Sequence, residues 1–181
     1  MIWYVALVVA VGLERLAELV VSKRHARAML SCGGREYGAR HYPAMVALHA
    51  ALLLGCLLEA AAADRPFVPW LGWLMLAIVL ASQALRWWCI ATLGEQWSTR
   101  VIVSPRVPLV SRGPYRFVRH PNYVAVAAEG AALPLVHSAW LTATLFSVLN
   151  AALLTVRIRV ENAALRTAAP VAPSPLGGRS A

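Results

Sequence analysis

Three runs of about twenty mostly apolar residues, 2–21, 42–62 and 70–93, alternate along this chain with short arginine-rich segments. A helix needs about 20 apolar residues to cross the hydrocarbon core of a bilayer, so three such runs within 181 residues leave little room for a soluble domain. A fourth apolar stretch, from Tyr123 to Val156, is interrupted at Pro134–Ala139. At about 1.5 Å of rise per residue it supplies two shorter spans folded back on each other. The fold class expected is therefore all-α: a polytopic membrane protein of about five transmembrane helices, the last two forming a helical hairpin. Residues 1–167 read as one integral-membrane domain. The tail 168–181, made of Pro, Ala, Gly and Ser with almost no large apolar residue, reads as disordered.

The charge pattern supplies an orientation. Seventeen Lys and Arg against eight Asp and Glu give a formal charge of +9, which on a soluble protein would point to nucleic acid. Here the basic residues lie between the apolar runs: five in 22–40, five in 94–121 and four after Val156, with Arg65 alone in the opposite connections. The positive-inside rule then puts the N-terminus outside and the C-terminus in the cytoplasm. No nucleic-acid partner is expected. Trp3, Tyr4, Trp70, Trp73 and Trp140 fall at outer ends of spans and Trp87, Trp88 and Trp97 near inner ones, as interfacial aromatic belts require. Met1-Ile2-Trp3-Tyr4 lacks the basic start of a cleaved signal, so the first span is expected to be retained. Cys32, Cys56 and Cys89 show no CxxC spacing, and neither a disulfide framework nor a metal site is expected.

Two segments carry chemistry. Ser111 to Tyr123 packs one Gly, two Pro, three Arg, two Tyr and a His into thirteen residues beside a span. Gly113-Pro114 sets a turn. Pro121 suits the first turn of a helix, where its missing N–H costs nothing, and His120 then stands at the helix entrance. The unpaired N–H groups there attract an anionic or carboxylate-bearing ligand, although the arginines alone equally suit a topological role. The second segment, Arg157 to Asn162, follows the fifth span, and Arg157 and Glu161 share a face at i and i+4. Taken alone, that is a surface ion pair worth about 0.3–0.5 kcal/mol. Both segments leave the membrane on one side, so they can meet.

Gly113-Pro114-Tyr115-Arg116 through Arg119-His120-Pro121 and Tyr123, followed after an apolar hairpin by Arg157-x-x-x-Glu161, resembles the isoprenylcysteine carboxyl methyltransferase family over roughly residues 70–165. The resemblance implies an integral-membrane methyltransferase using S-adenosyl-L-methionine, with the cofactor held in about 94–165 at the cytoplasmic face of a bacterial inner membrane. It implies cofactor contacts at Val107, Pro108, Leu109 and Val110, at Tyr115, at His120, Pro121, Asn122 and Tyr123, and at Glu161. It places Arg157 on the substrate side. A carboxylate such as Glu161 can accept from a ribose hydroxyl or an amine, and aromatics such as Tyr115 and Tyr123 can flank adenine or a sulfonium. Arg157 can hold an acceptor carboxylate or phenolate beside the methyl group.

The chain departs from the pattern at Glu161-Asn162, where many members have Glu-Glu. Short bacterial relatives include enzymes that methylate lipidic phenols, and the acceptor expected is a lipophilic phenol or carboxylate entering from the bilayer among membrane lipids. A phenol must lose a proton, and Glu129, six residues beyond Tyr123 within hydrocarbon, is the candidate base. Its other reading is a structural hydrogen bond, with Asn150 as the partner. Glu14 and Glu18 share a face and are expected to point into the bundle and pair with Arg15 and loop arginines. Arg86 is expected to snorkel to the interface. His41, His49 and His137 read as packing residues. Two alternatives stand beside the O-methyltransferase: a phospholipid amine N-methyltransferase and a non-catalytic membrane scaffold.

Overall fold

The computed structural model describes residues 2–63, 65–104 and 110–168. Val107, Pro108, Leu109 and most of the tail lie outside these described residues. Among the described residues there are five α-helices: α1 (Ile2–Ser31), α2 (Tyr42–Ala62), α3 (Pro69–Leu93), α4 (Pro121–Leu135) and α5 (Trp140–Ala168). Among the described residues three stretches, Ala39–Ala62, Pro69–Gln96 and Trp140–Thr167, are long and apolar enough to cross a membrane. The protein is a helical membrane protein. α1 is interrupted as an apolar run by Glu14, Arg15 and Glu18, and α4 has only 15 residues.

The second and third runs start and stop where turn chemistry dictates. Pro43 lies in the first turn of α2, and Pro69 opens α3, positions where a missing N–H is harmless. Gly94, at φ 55°, ends α3 in a backbone conformation that L side chains avoid. The hairpin turn falls at Val136–Ala139, with Ser138 at φ 56°, and Ser138 Oγ donates to Pro66 O at 3.0 Å. α1 continues ten residues past the expected end of its apolar run, through the basic segment to Ser31.

Inside the bundle α4 lies against both α3 and α5. Gly130 makes the close approach to α5 possible, because a Cβ there would stand 1.9 Å from Phe146 Cε1. Tyr4, Val8, Leu52, Cys56, Val79, Leu133, Val136 and Phe146 form a buried core cluster. Leu13, Leu16, Leu54, Leu58, Leu80, Leu145 and Leu149 face outward, as a lipid-facing surface does. Two of the expected belt aromatics face the other way. Tyr4 is fully buried and its hydroxyl donates to Leu133 O at 3.1 Å, while Trp97, in the loop after α3, is buried. An aromatic at a helix end has the same sequence signature whether it points to lipid or to the core.

A small antiparallel ladder appears that the sequence reading lacked. β1 (Arg35–Tyr37) pairs with β2 (Val101–Val103) in the register Arg35↔Val103, Glu36↔Ile102 and Tyr37↔Val101. It ties the α1–α2 connection to the long loop after α3. Arg100 reinforces the tie by donating to Glu36 at 3.1 Å and lying 5.0 Å over the Tyr42 ring. Ser22 Oγ lies 2.7 Å from Thr99 Oγ1, and His25 Nδ1 bonds Trp97 O at 2.9 Å, fixing the same loop to α1.

Candidate functional site

The segment before α4 folds as its residues predict. Gly113 at φ 60° opens a 3-10 turn over Gly113–Arg116, and a Cβ there would stand 2.5 Å from Thr92 Oγ1. Pro121 is the first residue of α4 and is buried, with His120 as its N-cap. The His120 side chain makes no cap hydrogen bond and turns instead toward α5. Its Nδ1 lies 3.6 Å from Glu161 Oε1, its Nε2 lies 3.2 Å from Asn162 Oδ1, and its ring stacks on Tyr123 at 5.3 Å. The hydrogen bond to Glu161 raises the His120 pKa above the ordinary imidazole value, against burial and the nearby Arg119, which lower it. Two oxygens facing two ring nitrogens suit an imidazolium, which donates from both. Asn162, where the family pattern has a second Glu, keeps one of those contacts without adding charge.

Arg157 and Glu161 share a face as expected, but they are not a surface ion pair. The Tyr123 hydroxyl stands between them: it accepts from Arg157 Nε at 2.7 Å and donates to Glu161. Arg157, 6% exposed, also directs Nη1 to Met45 Sδ at 2.8 Å and Nη2 to the Thr99 carbonyl. Its three partners among the described residues are thus a phenol, a thioether and a backbone carbonyl. Of the guanidinium's five N–H donors, three are engaged and two remain.

Two cavities meet at this point. One of about 120 Å³ is lined by polar groups of Arg100, Tyr115, His120, Asn122, Tyr123, Arg157 and Glu161. Burial, together with the neighbouring Cys89 thiol, pushes the Tyr115 hydroxyl above the ordinary phenol range. Asn122 Oδ1 is buried and has no hydrogen-bond partner among the described residues. The second cavity, about 400 Å³, runs between α1, α2, α4 and α5 with mostly aliphatic walls. Val9, Leu13, Leu16 and Val46 line it and are also exposed on the outer surface, so it opens sideways between α1 and α2. Asn122, Tyr123 and Arg157 belong to both cavities and form the wall between them.

Of the other expected site residues, Val107, Pro108 and Leu109 lie outside the described residues, and Val110 and Glu129 are not among the residues that line the polar cavity. Val110 is half-buried in the loop before the 3-10 turn. Glu129, 5% exposed, is not brought to Tyr123 and Arg157. It takes hydrogen bonds from Arg15 at 3.1 Å and from Arg86 at 3.0 Å, and Asn150 is not its partner. Arg86 therefore does not snorkel: it turns inward, because a carboxylate on α4 stands at its level. Arg15 also donates to Glu18 at 2.6 Å and to Gln83 at 2.7 Å, and Glu14 accepts from Trp87 at 2.7 Å. Glu14 and Glu18 do pair with Arg15 as expected, while the second guanidinium comes from α3 and not from a loop.

Residues 74–167 match the isoprenylcysteine carboxyl methyltransferase family. Bacillus subtilis YpbQ is 36% identical over 167 residues, covering 92% of this chain and 97% of that protein. A Haemophilus influenzae protein is 28% identical over 152 residues, covering 83% and 88%. Both relatives are uncharacterized proteins. No solved structure matches the chain.

Proposed function

The chain belongs to the isoprenylcysteine carboxyl methyltransferase family, and from that premise we propose that it transfers a methyl group from S-adenosylmethionine to an oxygen of a lipophilic phenol or carboxylate. The observation that carries this reading is the shared wall: a polar cavity and an aliphatic, laterally open cavity separated by Asn122, Tyr123 and Arg157. A water-soluble methyl donor and a lipid acceptor need those two environments with one point of contact. The chain crosses the bilayer five times, with the N-terminus outside and the basic loops, and so the polar cavity, at the cytoplasmic face.

The donor set of the polar cavity fits the cofactor. Glu161 accepts from its hydroxyls or amine, the unpartnered Asn122 Oδ1 takes an N–H donor, and Tyr115 offers an aromatic face. Among the described residues the cavity, at about 120 Å³, is smaller than the ~300–1,000 Å³ of ordinary small-molecule sites. Bound there, the cofactor supplies an electrophilic methyl group on sulfur. The chain's task is then alignment and charge. Its two remaining Arg157 N–H groups hold the acceptor oxygen at the wall, and the surrounding aliphatic surface excludes water that would weaken that contact. Met45, Thr99 and Tyr123 fix the guanidinium in place from three different segments. A fixed cation beside the acceptor disfavours an ammonium there, which places oxygen before a phospholipid amine as the methylated atom.

Glu129 is held between two arginines and lies outside the wall, so its role is to neutralise them and not to take the acceptor's proton; the acceptor reacts at Arg157 as its carboxylate or phenolate, its proton having passed to water before methyl transfer. Titrating detergent-purified protein with S-adenosylmethionine in a calorimeter tests the reading, with Glu161→Ala and Tyr123→Phe alongside. Micromolar binding that weakens at least about tenfold in Glu161→Ala, followed by labelled-methyl transfer to fatty phenols or carboxylates, is the expected result. Folded protein that binds no cofactor would leave a membrane scaffold in its place.

A further inference from the structure

The aliphatic cavity has polar groups at two levels, and only the level at Tyr123 and Arg157 is used above. Asn150 lines the same cavity from α5 at 4% exposure, and its amide has no hydrogen-bond partner among the described residues. It lies seven residues before Arg157 on the same helix, which at about 1.5 Å per residue is roughly 10 Å, or two turns, deeper in the membrane. A second, independent feature stands on this cavity. Glu18 and Arg86, each 5% exposed, both line it, and Glu18 Oε1 and Arg86 Nε, which make no hydrogen bond, form an ion pair with each other at 3.7 Å.

Buried polar groups are nearly always bonded, because an unpaired one costs free energy in an apolar setting. The Glu18–Arg86 pair is compensated internally, whereas the Asn150 amide, on the wall of the same cavity, is left open and marks the place of a polar group that arrives with a ligand. Its chemistry defines that group. An amide both donates and accepts. What suits it beside a neutralised ion pair is an uncharged group that donates and accepts, such as a hydroxyl or an amide.

We propose that Asn150 is a second acceptor-binding site that selects amphiphiles carrying an uncharged hydroxyl or amide about two helical turns from the methylated oxygen. This rests on the methyltransferase reading and adds the acceptor's class: a bifunctional lipid, not a plain long-chain phenol or fatty acid.

Matched acceptors test it on the unmodified protein. 4-Dodecylphenol is compared with the same phenol bearing one chain hydroxyl about 10 Å from the phenolic oxygen, with a matched pair of fatty carboxylates in parallel. The hydroxylated member of a pair should show kcat/KM at least about tenfold higher, through KM, since a bond to such a site is strong in apolar surroundings. In Asn150→Leu that preference should shrink to near one. Because Asn150 has no partner to lose, Asn150→Leu should melt no lower than the unmodified protein. Equal use of both members, a preference that survives Asn150→Leu, or a lowered melting temperature each overturns the second site while methyl transfer stands. Failure of cofactor binding, or of transfer to every acceptor, removes the methyltransferase reading itself.

Discussion

Two buried arginine systems flank one cavity, and they differ in what the guanidiniums touch. Deep in the bundle Arg15 and Arg86 are bonded to the carboxylates of Glu18 and Glu129. At the wall between the two cavities Arg157 is bonded to a phenol, a thioether and a carbonyl, and the carboxylate of Glu161 is reached through Tyr123. The deep system has its charge neutralised internally, so its work is to hold α1, α3 and α4 together. The wall system leaves a cation without a direct counterion in apolar surroundings, which is what an acceptor anion needs.

That contrast breaks most visibly at Glu129. Glu129→Ala removes the carboxylate bonded to both Arg15 and Arg86 and leaves buried positive charge uncompensated, a loss of about 3–5 kcal/mol. Thermal melting in detergent should fall sharply, and Glu129→Gln, which keeps shape and loses charge, should fall less. A melting temperature unchanged in both would mean that the deep cluster does not brace the helices, and the distinction between the two systems would go.

Arg157→Met should behave in the opposite sense. Methyl transfer is expected to drop about 10²–10³-fold, the scale for losing a preorganised charge contact to the reacting group. Stability should fall less than in Glu129→Ala, since the partners abandoned are neutral and Tyr123 keeps Glu161. A folded Arg157→Met that still turns over at near the original rate would move the acceptor's anchor elsewhere.

The position between the systems is set by Gly130, one residue after Glu129. Gly130→Ala places a Cβ 1.9 Å from Phe146 Cε1 and should cost about 1–3 kcal/mol by overpacking. Phe146→Leu in the same chain should recover part of that loss in a thermal melt. No recovery would place the strain in α4 itself and not in its contact with α5.

The sequence made the wall legible because its signals are local. Pro121 at the first helical position, His120 before it, the turn at Gly113-Pro114 and the i, i+4 spacing of Arg157 and Glu161 all depend on residues a few positions apart. The deep cluster was half legible. Glu14, Arg15 and Glu18 on one stretch of α1 announce an inward face, but Arg86 at the end of a span follows the same pattern as a snorkelling residue, and only the packing of α3 on α4 turns it toward Glu129. The Tyr123 bridge between Arg157 and Glu161 was hidden for the same reason. Three-residue strands such as β1 and β2 leave no periodicity to read. Residues 107–109, expected at the cofactor, lie outside what the structure describes.

The smallest effect expected is also the one that separates the wall from the deep cluster by pH. His120 at the helix entrance faces Glu161 and Asn162 from α5, stacks on Tyr123 and has Arg119 as its neighbour. Its pKa is raised chiefly by the hydrogen bond to Glu161, so its imidazolium persists to higher pH in the folded protein than in the unfolded chain. The sign follows from that shift: the stabilisation is fully present below the ordinary imidazole value of about 6.5 and is lost as pH climbs through the raised value. Melting temperature and S-adenosylmethionine affinity should therefore both decline modestly on the alkaline side of neutrality, and His120→Gln should flatten that decline. The deep cluster holds no histidine in its ion pairs, so Glu129→Gln should leave the slope in place. A decline that persists in His120→Gln would assign the titration to another group and leave the entrance histidine a neutral spacer over Tyr123.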